Sequence, residues 1–312
     1  MCELEGLLMN ELSAIRIEGL HKSYGKVHAL RGVNLVVKRG EIYGFLGPNG
    51  AGKTTTIRCM LDLIRPQAGS INILGLDPQK KAVEVRSQVG YLPGELNLEA
   101  NVKVLDVLRY FADLRGGVVS WDYVRTLTKR LELDINMPVK NLSKGNKQKV
   151  GLVQALMPRA KVLLLDEPTA GLDPLMQQVV YKILKEEKAQ ETTIFFSSHI
   201  ISEVEAIADC VAIIRKGVIT EEINPAQLAS MTMRKVRVRF KKMVDTSPLV
   251  KLEGIYLLSK GNGLDITLKV EGDMDKLIKT LAIYPVNNIE TLHHSLEEVF
   301  LEYYKDEERE VD

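Results

Sequence analysis

The sequence is short of several things that would point to particular kinds of protein. Its 312 residues contain three cysteines, Cys2, Cys59 and Cys210, odd in number and widely spaced. They make neither a disulfide framework nor a zinc-ligand pattern, which suggests a reducing, cytoplasmic setting. Aromatic residues are only 5% of the chain, with a single Trp, so a cage of stacked rings is not its central device. Neither charge sign dominates. The 42 Lys and Arg against 41 Asp and Glu leave a net charge of +1, which argues against coating nucleic acid by bulk charge. Long apolar runs are missing too. Those at 162–165 and 211–214 are strand-sized, far below the roughly 18–20 residues that span a bilayer. The first residues include Glu3, Glu5 and Glu11 and lack a basic start before an apolar stretch, so no secretory signal is expected.

What remains is ordinary globular material. Hydrophobic residues at 45% and charged residues at 27% supply a core and exclude a disordered chain. At about 150 residues per domain, the length suggests roughly two domains. Residues 1–13 read as a leader. Alternating or apolar stretches at 14–20, 33–37 and 42–46 read as strands, and 53–64 as a helix stopped near Pro66. Residues 100–157 lack strong strand signals and hold helical stretches at 102–114, 121–131 and 147–157. Strand and helix then alternate from 161 to 215, which implies parallel strands with crossover helices. Beyond 230 the order becomes β-α-β-β-α-β-α, which resembles a small ferredoxin-like α+β module. In that module Lys235, Arg237, Arg239 and Lys241 fall on one strand face. A solvated sheet face accounts for them, as does pairing with the acidic stretch 297–312 or with anionic lipid headgroups.

The strongest chemical signal is Gly47-Pro48-Asn49-Gly50-Ala51-Gly52-Lys53-Thr54-Thr55. It fits G-x-x-x-x-G-K-[ST], follows an expected strand and opens an expected helix. Glycines let backbone amides wrap a phosphate, and the helix start adds positive potential. Lys53 is then placed to reach the β- and γ-phosphates, and the Thr54 hydroxyl to ligate Mg²⁺. A second half-site lies at Lys161-Val162-Leu163-Leu164-Leu165-Asp166-Glu167. An acid at the end of an apolar strand suits a metal held through water, here by Asp166. The adjacent Glu167 is placed to polarise the attacking water. Taken alone, that pair reads equally well as a solvated strand end.

Further motifs follow in order. They are Leu142-Ser143-Lys144-Gly145-Asn146-Lys147-Gln148, Pro168-Thr169-Ala170-Gly171-Leu172-Asp173, Phe195-Phe196-Ser197-Ser198-His199 and, near the start, His21-Lys22-Ser23-Tyr24-Gly25. With the phosphate loop they make the chain, over about residues 14–225, similar to the ATP-binding cassette (ABC) family. The family's signature is usually LSGGQ, and here Lys144 and Asn146 depart from it. Taken alone, Ser143 is also a plain helix cap. The segment Ser295-Leu296-Glu297-Glu298-Val299-Phe300-Leu301 resembles the closing stretch of cassettes from ABC-2-type exporters of the drug and bacteriocin-resistance kind.

The resemblance implies a P-loop α/β ATPase with a mixed core sheet, an antiparallel β-subdomain and a helical subdomain at about 95–157. A C-terminal α+β accessory module is expected at 230–312. It implies ATP and Mg²⁺ as ligands, Tyr24 stacking on adenine, and His199 at the γ-phosphate. Ser143, Lys144, Gly145 and Asn146 are expected to serve the site of a second cassette, with Asp173 in the loop linking the two. The expected partners are another copy or a second cassette, and multispan membrane permease subunits, on the inner face of the membrane and without nucleic acid. Gly94, in Tyr91-Leu92-Pro93-Gly94-Glu95, stands where the family usually has a metal-touching glutamine. Ribosome-acting cassettes usually carry two phosphate loops, and chromosome-organising ones a long coiled coil. This chain has neither, so a soluble cassette of either kind is the poorer alternative.

Overall fold

The computed structural model describes residues 13–117, 119–225, 233–250, 252–262, 264–271 and 274–292. The expected leader lies outside these residues, except that Ser13 already belongs to the first strand, and so do the last helix of the expected β-α-β-β-α-β-α order, at 296–304, the 295–301 segment and the acidic stretch 297–312. The chain divides into two units between Ile223 and Asn224.

The first unit begins with a long hairpin, β1 (Ser13–Tyr24) and β2 (Val27–Lys38). A two-residue turn, with Gly25 in the left-handed region, joins Tyr24 to its partner Val27. Both strands run further than the hydrophobic alternation suggests, because their outer ends carry polar side chains into solvent. β4 (Ala68–Ile73) pairs along the other edge of β1 and completes an antiparallel three-stranded sheet.

The second sheet carries the chemistry. Its strands are β3 (Ile42–Leu46), β5 (Val89–Leu92), β6 (Val162–Asp166), β7 (Thr193–Ser198), β8 (Cys210–Arg215) and β9 (Val218–Ile223). They lie in the order β5-β6-β7-β3-β8-β9. All neighbours run parallel except β8 and β9, a reversal the strand-helix alternation does not announce. Strands β3, β6 and β7 are buried along their whole length, as expected of parallel strands covered on both faces. Tyr43 stacks on Phe195 at 5.7 Å between ring centres, and Phe45 packs on the same ring at 5.2 Å. Cys59 sits in this core with its thiol pushed up to about 11 by burial, so it acts as a packing residue and not as a nucleophile.

Helices connect these strands. α1 (Lys53–Met60) ends earlier than the 53–64 expected, because Asp62 turns left-handed at φ 52° and the chain folds back onto the carbonyls of Arg58 and Cys59. α2 (Ala82–Ser87) precedes β5. α3 (Val104–Leu114), α4 (Trp121–Arg130) and α5 (Lys144–Leu156) form the helical region. α6 (Pro174–Ala189) and α7 (Ile201–Ile207) complete the unit. Two contacts hold α4 to α6: Arg130 straddles the Glu186 carboxylate at 2.5 and 3.1 Å, and the Tyr123 hydroxyl donates to Glu187 at 2.5 Å. No helix among the described residues is long and apolar enough to cross a membrane.

The second unit is a four-stranded antiparallel sheet in the order β11-β12-β10-β13. Its strands are β10 (Met233–Phe240), β11 (Ile255–Gly261), β12 (Asp265–Glu271) and β13 (Val286–Leu292), with helices α8 (Ser247–Val250) and α9 (Asp275–Leu281). Split β-α-β units of this order give the ferredoxin-like arrangement. Val236, Val238, Phe240, Leu268 and Leu277 fill its core. The exposed Arg239 meets Asp265 at 2.9 Å, and Arg237 lies opposite Glu290, so acids on neighbouring strands balance much of the basic face.

The fit of α5 on β5 yields a stability prediction. A Cβ on Gly90 would come within 2.1 Å of the Ala155 carbonyl oxygen. Gly90→Ala is expected to destabilise the first unit by about 1–3 kcal/mol, read as a lower midpoint in denaturant unfolding.

Candidate active site

Three parallel strands end on one edge of the second sheet, and each delivers part of the site. β3 runs into the phosphate loop, β6 ends at Asp166 and β7 at Ser198. Open α/β sheets build ligand sites at the carboxyl ends of their strands. Gly52 caps α1 at φ 115°, and a Cβ there would strike the Ala29 carbonyl at 2.8 Å. Only glycine satisfies both the conformation and the contact. Asn49 and Gly50 form the exposed tip between Pro48 and the buried Ala51, whose amide returns to the Pro48 carbonyl at 3.2 Å. Thr54 and Thr55 are half-buried in the first turn of α1, which contains no acidic residue.

Lys53 is 5% exposed. Its ammonium donates to the carbonyls of Gly47 at 2.7 Å and Pro48 at 3.1 Å, and lies 3.8 Å from Glu167 Oε1. Burial draws its pKa below the ordinary lysine value, while Glu167 and Asp166 oppose the shift. A buried cation at a helix start, flanked by two carboxylates, is arranged for an anion accompanied by a metal.

Asp166 is almost wholly buried. Its Oδ1 accepts from Ser197 Oγ at 2.6 Å, while Oδ2 is buried and takes no hydrogen bond among the described residues. The same Ser197 Oγ accepts the Glu167 amide at 3.0 Å, so one hydroxyl sets both acids. Glu167 turns left-handed at φ 50°, and its Oε1 meets His199 Nδ1 at 3.0 Å. The structure therefore gathers Lys53, Asp166, Glu167 and His199 at one place. Mg²⁺ takes oxygen ligands and few protein ones. An unpartnered buried carboxylate oxygen on Asp166 and the Thr54 hydroxyl suit it. No group of three His, Cys, Asp or Glu among the described residues competes as a metal site.

The other motif residues fall elsewhere. Ser143 caps α5, its Oγ accepting from the Asn146 amide at 3.2 Å. That helix begins at Lys144, three residues before the periodicity predicts, because Lys144, Gly145 and Asn146 form its first turn. A Cβ on Gly145 would lie 2.6 Å from the Gly171 carbonyl, so the signature turn packs on the 168–173 segment. Asp173 caps α6 through the Met176 amide at 3.0 Å, a bond that holds its carboxyl below the usual range. Tyr24 is 47% exposed at the tip of the β1–β2 hairpin, with the Lys22 ammonium 5.3 Å from its ring. Sequence reading misses Ser197 as a bridge, and also Gln148, whose amide donates to the Glu167 carbonyl at 2.8 Å. Both depend on strand and helix register, which no local pattern encodes.

This fold and site define a P-loop nucleotide hydrolase. A family model described as "ABC transporter" matches residues 30–170. The chain is 39% identical over 215 residues to the bacitracin transport ATP-binding protein BcrA of Bacillus licheniformis, covering 67% of this chain and 69% of that protein. Its namesake in Enterococcus faecalis is 35% identical, covering 69% and 70%. The lantibiotic transport ATP-binding protein SrtF of Streptococcus pyogenes is 35% identical, covering 67% and 90%. A solved ATP-binding subunit of an ABC transporter superposes with a TM-score of 0.64 at 29% identity, covering 69% of this chain and 92% of that one. A dimeric cassette bound to ADP and Pi shares the fold, with a TM-score of 0.61 at 24% identity, covering 68% and 98%. The chain belongs to the ABC transporter ATP-binding protein family. It is an ATPase of that family, with ATP and Mg²⁺ as its ligands.

The Ser197 bridge makes a test. Ser197→Ala is expected to lower kcat about tenfold or more while ATP affinity changes less than about threefold, because it unseats the buried Asp166 and the half-buried Glu167 without touching the phosphate loop. Steady-state kinetics with separate ATP titrations would read the split.

Proposed function

We propose that this chain is the motor subunit of an ABC-2-type exporter, working as a cassette dimer on separate membrane subunits at the inner face of the cell membrane. The reading of hydrolysis is carried by one observation: Glu167 Oε1 lies 3.0 Å from His199 Nδ1 and 3.8 Å from Lys53 Nζ. The lean to export comes from the names of the relatives, among them the Nod factor export ATP-binding protein of Cupriavidus pinatubonensis, 34% identical over 218 residues.

In this reading the amides and side chains of 47–55 enclose the phosphates, with Lys53 on the β- and γ-phosphates and Tyr24 against adenine. Thr54 and, through water, Asp166 would hold Mg²⁺, which would supply neutralisation of phosphate charge. Glu167 orients and polarises the attacking water, and His199 holds Glu167 in place and contacts the γ-phosphate. Ser143, Lys144, Gly145 and Asn146 close the site of a second cassette, so neither copy is complete alone and nucleotide binding is linked to association. Asp173 sits in the loop between the two sites. Residues 14–225 form the motor, and 230–312 an accessory unit. The helical region at about 95–157 faces the membrane subunits, which choose the cargo.

Two variants test this. Glu167→Gln should retain ATP binding, lose at least about a hundredfold in turnover, and accumulate an ATP-dependent dimer on size exclusion. Hydrolysis at the parent rate would remove Glu167 from the role. Lys53→Ala should weaken ATP binding by about tenfold or more by calorimetry, and unchanged affinity would defeat the phosphate-loop assignment.

A further inference from the structure

One buried acid beside the site has no part in the chemistry described so far. Glu203 of α7 is 5% exposed, and no Lys, Arg or His pairs with it among the described residues. A buried carboxylate without a cation is costly unless hydrogen-bond donors satisfy it. Here both oxygens are taken by hydroxyls, and the hydroxyls come from different loops. Oε1 accepts from Thr169 Oγ1, and Oε2 accepts from Ser198 Oγ at 2.5 Å.

Each loop carries a residue of the site. Thr169 is 3% exposed and lies two residues beyond Glu167. Its carbonyl accepts the Leu172 amide at 3.1 Å, and the Glu167 carbonyl accepts the Ala170 amide at 3.1 Å. Thr169 is thus a side-chain anchor for the turn that leads from Glu167 to the signature contact at Gly171. Ser198 ends β7 and immediately precedes His199. Its Oγ also accepts the Ile200 amide at 2.9 Å, and its carbonyl accepts the Gly47 amide at 3.1 Å. The backbone is therefore held on both sides of His199, and the same serine reaches the phosphate loop. Filling this space needs no charge. A leucine between a valine and an alanine would pack it without burying an ion.

We propose that Glu203 is a positioning residue that ties the turn after Glu167 to the strand end carrying His199. One rigid carboxylate holds a hydroxyl from each, so a shift of either loop is passed to the other. Glu167 and His199, which meet at 3.0 Å, are thereby kept in step. This rests on reading those two residues as partners in hydrolysis.

The test measures kcat and the affinity for adenylyl imidodiphosphate, a hydrolysis-resistant ATP analogue, on the full chain. Glu203→Leu is expected to lower kcat about tenfold or more, with analogue affinity within about threefold of the parent. In Glu203→Gln the amide can accept from Thr169 and donate to Ser198, whose own proton can turn to the Ile200 carbonyl 3.3 Å away. That variant should keep kcat within about threefold of the parent. A leucine variant at the parent rate overturns the proposal, and so does a glutamine variant as slow as the leucine one. A double-mutant cycle shows whether the carboxylate carries the link. Thr169→Val should lower kcat about fivefold or more in the parent, and less than about twofold in Glu203→Leu. An equal loss in both backgrounds overturns the proposal, because the hydroxyl would then act without Glu203. Should Glu203→Leu fail to fold, the imidazole resonance of His199, assigned by its loss in His199→Ala, decides. It should move in Thr169→Val, although no hydrogen bond joins the two residues, and an unmoved resonance overturns the proposal. His199→Ala at the parent rate defeats the role of His199 itself. A slow His199→Ala beside a parent-rate Glu203→Leu defeats only the role of Glu203.

Discussion

The site depends on the register of two parallel strands. β6 and β7 pair so that Asp166 stands opposite Ser197. That alignment puts the serine hydroxyl between one acid's side chain and the next acid's amide. A slip of one residue would turn the whole strand over and bury Leu165 where Asp166 now stands. Local pattern does little against the slip, because β6 is apolar up to Asp166 and the centre of β7, residues 194–196, is apolar too. The long-range pairing with β3, and the Phe195 ring wedged between Tyr43 and Phe45, hold the alignment.

α5 is the second organiser. It begins at the signature turn, packs its middle on β5, and sends Gln148 to the Glu167 carbonyl. Two glycines let it approach closely: Gly90 in the sheet and Gly151 on the helix each lie where a Cβ would collide with the facing element. The helix therefore reports on the acid pair and on the 92–96 segment together. The exposed start of this helix and the backbone of Glu167 are thus linked through Gln148 by one hydrogen bond.

Much of this was legible in the residues. The phosphate loop, the acid pair and His199 each combine a local pattern with a strand or helix context, and their order along the chain adds specificity. The strands with unbroken apolar runs were equally plain, as was the α+β order of the second unit. What escaped was set by pairing over distance. β9 reads as one more polar stretch until it is seen antiparallel to β8. β4 and α2 are too short and too exposed to announce themselves. Ser197 looks like any strand-end serine, and Gln148 like any helical glutamine, until register brings them to Asp166 and Glu167. The departure at Gly94 was visible, but its closeness to Asp166 was not.

Glu167 holds a left-handed backbone conformation, φ 50°, that suits glycine or asparagine better than a glutamate. The acid at this position bears a local conformational cost while its side chain pairs with Lys53 at 3.8 Å and meets His199 at 3.0 Å. The residue that bears this cost is the first beyond β6, and its side chain is the one that lies against both Lys53 and His199, so the backbone turn and the charged cluster are set at a single position.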